Sequence, residues 1–128
     1  MQAARLYKFS MKHLIPVLLL LAASPVLAEE PQIEAVTATR TAPETWRFDV
    51  TVTHPDTGWD HYADGWRVLD MDGNALGLRV LVHPHVDEQP FTRSLGGVQI
   101  PSATTQVQVQ MRDLPAGWNA GMTVVDLR

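Results

Sequence analysis

The chain has 128 residues, with 10 basic and 14 acidic side chains, five histidines, no cysteine and a formal charge of −4. An acidic balance argues against nucleic acid or an anionic membrane surface as a partner. The absence of cysteine excludes thiol nucleophiles, iron–sulfur ligation, the His₂Cys type of copper site and a cysteine-linked lipid anchor. The first element is read as an export signal. Arg5, Lys8 and Lys12 precede the apolar run "LIPVLLLLAA", and "SPVLA" then offers a small-residue cleavage site before Glu29. Met11 can serve equally as the start, since the signal is complete from there. The run is shorter than the roughly 20 apolar residues of a membrane-spanning helix and is interrupted by Pro16. A signal peptide over 1–28, a periplasmic location and no stable membrane insertion after cleavage are therefore expected.

Both lysines fall in that segment, so residues 29–128 keep seven arginines against all fourteen acids, a charge of −7. A single domain of this size without disulfides must be held by its apolar core. Residues 29–32, "EEPQ", read as a flexible leader, and 33–128 as the domain.

The domain reads as all-β. "IEAVTATR" opens it. "WRFDVTVTH" then alternates Trp46, Phe48, Val50 and Val52 with Arg47, Asp49, Thr51 and Thr53, the period of a half-buried strand. Strands at 66–71 and 76–83 form a hairpin about the turn "DGN" at Asp72 to Asn74. A calcium loop at "DMDGN" lacks its remaining ligands and the terminal glutamate. "GVQI" reads as a short strand, "TTQVQVQMRD" places Val107, Val109 and Met111 inward, and "MTVVDLR" closes the chain. About seven strands with turn signals between them predict a single immunoglobulin-like or fibronectin-III-like two-sheet sandwich, with a small barrel as the alternative.

If the strand at 46–54 runs up, the strand at 76–83 also runs up. The loops "HPDTGWDHYADGW" and "HPHVDEQPFTR" then emerge at one end, joined by the connection carrying Trp118. All four histidines after residue 28 lie in these two loops. In a sandwich, binding surfaces are commonly built from loops that share an end.

Three chemistries compete for this end. His83 and His85, two residues apart and held extended by Pro84, can offer two imidazoles to one ion, with His61, His54 or one of Asp60, Asp64, Asp87 and Glu88 completing the set. Without thiols such a site takes Zn²⁺ or Cu²⁺. The bland alternative has these imidazoles capping strand ends and satisfying loop carbonyls. Trp59 and Tyr62, beside Asp60, His61 and Asp64, can form an aromatic platform for a ligand or partner, with Phe91 and Arg93 contributed by the second loop. Trp66 reads as core. Arg93 is expected to pair internally with Asp60, Asp64 or Asp87. No nucleophile elbow, zincin helix or phosphate loop is present, so no catalytic residues are assigned.

In strand pattern, residues 33–128 resemble small exported bacterial proteins with immunoglobulin-like sandwiches. That resemblance implies a fold and no activity. The sequence thus points to an exported, non-catalytic binding or accessory module without a resident cofactor, its partner a periplasmic protein or small ligand. The alternative is a periplasmic Zn²⁺- or Cu²⁺-binding protein built on His83 and His85.

Overall fold

The computed structural model describes residues 29–128, so the signal peptide expected over 1–28 lies outside the described residues. These residues form eight strands and two sheets. They are β1 (Gln32–Ala42), β2 (Thr45–Thr53), β3 (Tyr62–Leu69), β4 (Ala75–Val80), β5 (Phe91–Gln99), β6 (Gln106–Leu114), β7 (Gly117–Trp118) and β8 (Thr123–Asp126). One sheet has the order β1-β2-β5. The other runs β4-β3-β6, with β7 and β8 both pairing with β6. Every pairing is antiparallel. Among the described residues no helix is long and apolar enough to cross a membrane.

The core follows from the alternation. Trp46, Phe48, Val50 and Val52 of β2 face Trp66 and Val68 of β3 and Val107, Val109 and Met111 of β6, and all are buried. Val, Phe and Trp suit a pleated surface with one buried face, where their branched or aromatic side chains interlock across the sheets. The hairpin turn between β3 and β4 forms where expected. Asp70 Oδ1 accepts the backbone N–H groups of Asp72 at 3.0 Å and Asn74 at 2.8 Å, and Gly73 supplies a φ of 88° that other residues resist.

Four boundaries differ from the sequence reading, each for a long-range reason. β3 begins at Tyr62 rather than near Trp66, because Tyr62 and Ala63 pair with Leu114 and Asp113 of β6. β4 stops at Val80. The next N–H, of Leu81, donates to the carbonyl of Asp64 at 2.9 Å, and His83-Pro84-His85 runs on as irregular loop. β5 starts at Phe91, not near Gly97, since Phe91 and Arg93 pair with Val52 and Val50 and bury the Phe91 ring. The stretch read as a leader includes Pro31, which is buried and whose carbonyl accepts from Asn119 Nδ2 at 2.8 Å, and Gln32, which opens β1.

The end of the sandwich carrying the loops 54–61 and 81–90 assembles as one structure. His54 N–H donates to Gln89 Oε1 at 3.0 Å, Gln89 Nε2 donates to the carbonyl of His85 at 2.9 Å, and His85 N–H donates to Asp56 Oδ2 at 2.8 Å. The end of β6 reaches the same place.

Candidate metal centre

The end of β2, the approach to β3 and the end of β6 each deliver one polar side chain to the gap between the sheets. On β2 the buried positions are Trp46, Phe48, Val50 and Val52, and the next in that series is His54, whose imidazole is wholly buried. On β6 the series Val107, Val109, Met111 ends on Asp113, which is equally buried. Both follow from period-two geometry, in which residues i and i+2 share a face.

The third side chain, His61, depends on an irregularity. Trp66 and Val68 set the inward parity of β3 at even positions, which would turn His61 and Ala63 outward. A β-bulge intervenes: Ala63 pairs with Asp113 but Gly65 with Arg112, leaving Asp64 as the extra residue. The extra residue inverts the parity upstream of it, so Ala63 and His61 face inward. Arg112 secures the bulge. Its Nε donates to Asp64 Oδ1 at 3.0 Å and its guanidinium lies 4.9 Å from the centre of the Trp118 ring. A Cβ on Gly65 would approach Arg112 Nη2 to 2.9 Å, so glycine is what lets that arginine lie across the strand.

The result is a convergence of His54 Nε2, His61 Nε2 and a carboxylate oxygen of Asp113, with the candidate ligand atoms all within 4.8 Å of one another. Asp113 Oδ2 lies 3.5 Å from His54 Nε2 and 3.3 Å from His61 Nε2. All three atoms are buried without a hydrogen-bond partner. A tetrahedral ion with bonds of roughly 2.0–2.1 Å separates its ligand atoms by about 3.4 Å, so two edges of the triangle already have that length.

Asp56 organises the group from behind. It is buried, and its Oδ1 accepts His54 Nδ1–H at 2.5 Å and the Ala63 N–H at 2.9 Å, while Oδ2 accepts the His85 N–H. With two backbone N–H groups already donating to it, Asp56 is suited to accept from His54 Nδ1 as well, the tautomer that a metal on Nε2 requires. In that tautomer the lone pair of His54 lies on Nε2, which faces Asp113 and His61. A carboxylate on the far nitrogen of an imidazole is the usual way a metal ligand is oriented and made more basic.

The sequence-derived residues divide accordingly. His54 and His61 belong to the convergent group, and their rings meet edge to face at 4.7 Å. His83 is exposed, with Nδ1 2.9 Å from the carbonyl of Pro84. His85 lies 4.5 Å from the His83 ring, stacks on Phe91 at 3.8 Å and accepts Arg93 Nη2 at 2.9 Å on its Nε2. With β4 ending at Val80, the two imidazoles of the His-Pro-His segment do not project from a common strand face. Arg93 therefore pairs with His85, not with Asp60, Asp64 or Asp87, while Asp64 serves Arg112. Trp59 stands at the tip of the turn closed by the Gly58–His61 bridge, 66% exposed, with its ring edge-on to Tyr62 at 5.7 Å. Asp60 beside it is exposed. Asp113 was absent from the sequence-derived set. Its signal was present, since an acid occupies the next inward position after Val107, Val109 and Met111.

The pKa of His85 lies below the ordinary histidine value, first because burial disfavours the imidazolium and then because Arg93 and His83 repel it, against weaker opposing pulls from Asp56 and Glu88. The unfolded chain, with a histidine pKa near ~6.5, therefore binds the extra proton more readily than the folded one. The contribution is full above about pH 6.5 and is lost as pH falls toward the folded value. In thermal unfolding with chelator present, His85→Gln is expected to show a smaller drop in Tm between neutral and mildly acidic pH than the parent chain. An unchanged drop would place the acid sensitivity elsewhere.

A protein of Halomicrobium mukohataei named "Putative lipoprotein" is 43% identical to this chain over 79 residues. The match is partial. It covers 62% of this chain and 38% of that relative, so the chain spans well under half the relative's length. No protein-family model matches the chain, and no solved structure matches it significantly.

Proposed function

We propose that this chain is an exported accessory protein of the cell envelope that binds a divalent transition ion, Zn²⁺ or Cu²⁺, through His54, His61 and Asp113. One observation carries the reading: three buried polar atoms, just past the end of β2, just before β3 and on β6, face one another without partners. Buried polar groups are paired in the great majority of cases, and an ion is what would complete this set. Imidazole and carboxylate donors suit Zn²⁺ and Cu²⁺, and the absence of a thiol at the site disfavours the softer Cu⁺. Such an ion would cross-link β2, β3 and β6 and add its binding free energy to the stability of the fold.

Export is supported by the signal pattern over 1–28 and by the name of the Halomicrobium relative, and a periplasmic location is the corresponding proposal. The strand order, with β1, β2 and β5 in one sheet and β3, β4, β6 and β8 in the other, supports an immunoglobulin- or fibronectin-III-type sandwich. A second reading, a binding module working without metal, draws on the exposed Trp59 beside Tyr62.

The test is metal retention. Protein exposed to Zn²⁺ or Cu²⁺ and then desalted is expected to keep about one equivalent, as a single site requires. His54→Ala and Asp113→Asn are expected to lose it, while His83→Ala keeps it. In chelator, Asp113→Asn is expected to melt at or above the parent temperature, because an amide can donate to an imidazole nitrogen that now faces an acceptor. A parent chain that retains no metal overturns this reading in favour of the metal-free module, as does an Asp113→Asn variant that retains it undiminished.

A further inference from the structure

We infer that the ion at this centre keeps one coordination position unfilled by this chain's own side chains, and that this position takes a neutral nitrogen donor of the imidazole class. The inference rests on the metal reading above and concerns what that metal does next.

The number of donors comes first. Two imidazoles and one carboxylate converge among the described residues, whereas Zn²⁺, Co²⁺ and Cu²⁺ take four ligands or more. Closed structural sites supply four protein donors, and sites that exchange or activate a ligand supply three.

The neighbouring polar groups are already committed. Both oxygens of Asp56 are occupied by three protein donors. His85 Nε2 accepts from Arg93, which leaves the ring proton on Nδ1, buried without a partner and outside the convergent group, and the Gln89 side chain bridges His54 N–H and the His85 carbonyl. Asp64 holds Arg112 at the bulge. Bringing any of them to the ion would break bonds that shape the site, so the further donor comes from outside.

Access has a direction. The side chains of His54 and Asp113 are 0% and 2% exposed, but that of His61 is 23% exposed. His61 Nε2 is itself buried, so an incoming donor reaches the ion past the His61 ring, the most exposed part of the site.

Charge selects the donor. A divalent ion is balanced by the carboxylates of Asp113 and Asp56, both buried. A neutral nitrogen preserves that balance, whereas an anion would leave an uncompensated charge in a poorly solvated place. Imidazole can come from a free small molecule or from a histidine of a partner chain, and the coordination chemistry is the same.

Co²⁺ is the probe, because its visible spectrum reports coordination. Co²⁺-loaded protein is titrated with imidazole, with a short peptide containing one central histidine, and with azide. Imidazole is expected to change the visible bands in a saturable way, binding at least about tenfold tighter than azide, a difference of about 1.4 kcal/mol. A peptide response matching that of imidazole supports a partner's histidine as the source, and a response to imidazole alone supports a small molecule. A spectrum indifferent to imidazole overturns the open position while leaving the metal reading intact. Azide binding as tightly as imidazole overturns the selection by charge. Protein that retains no Co²⁺ overturns the inference together with the metal reading.

Discussion

Asp56→Ala is expected to cost about 3–5 kcal/mol of stability, the usual penalty for removing one partner from a buried, hydrogen-bonded polar pair. That is a large fraction of the 5–15 kcal/mol that holds a typical domain together. The reason lies in what Asp56 accepts. Its loss strands the N–H groups of Ala63 and His85 and the Nδ1–H of His54 away from water. Those three donors belong to β3, to the loop 81–90 and to the end of β2, so the connections at this end of the sandwich loosen together. Urea unfolding measures the cost. A change below about 1 kcal/mol, the worth of a single ordinary hydrogen bond, would show that the loops satisfy themselves in another way.

Because the alanine variant risks not folding, Asp56→Asn separates structure from function. It retains one carbonyl acceptor but presents N–H groups to a donor. It is expected to remain folded at low temperature and to bind Zn²⁺ or Cu²⁺ about 10–100-fold more weakly, the effect of disturbing the group behind a metal-ligating imidazole. Undiminished affinity would remove Asp56 from the metal centre and leave it a purely structural hub.

The second large effect concerns residue count rather than chemistry. Deleting Asp64 removes the extra residue of the β3 bulge, restores regular pairing with β6 and turns His61 to the outer face. Metal affinity is expected to fall by more than about 100-fold, beyond the range seen when only a supporting group is lost. Asp64→Ala keeps the extra residue and forfeits only the contact with Arg112. It is expected to hold metal within a few-fold of the parent, with about 0–1 kcal/mol lost from a partly exposed ion pair. Equal metal affinity in the deletion and the parent would show that the parity of β3 does not place His61.

How much of this was legible depends on the range of the determining interactions. Period-two alternation at Trp46 to Val52 and at Val107 to Met111 is a local property, so those strands and their inward faces could be read directly. The gathering of His54 and His61 at one end followed from counting strand directions. Asp113 was equally local in its signal and was missed because the inward series was followed only as far as Met111. The strand setting expected for His83 and His85 differs for the opposite reason, although their rings do lie 4.5 Å apart. Their spacing suits a strand, but the strand ends at Val80, where the Leu81 N–H turns to the Asp64 carbonyl seventeen positions away.

The sequence by itself determined the all-β class, the buried faces of β2 and β6 and the hairpin turn capped by Asp70, because each rests on the chemistry of neighbouring residues. The tertiary structure alone decided which imidazoles meet. Register between strands is set by backbone pairing over long separations, and a single unpaired residue reverses the facing of everything upstream of it. That is why His54, His61 and Asp113 converge, while the more conspicuous His-Pro-His segment is bound to its own loop and to Arg93.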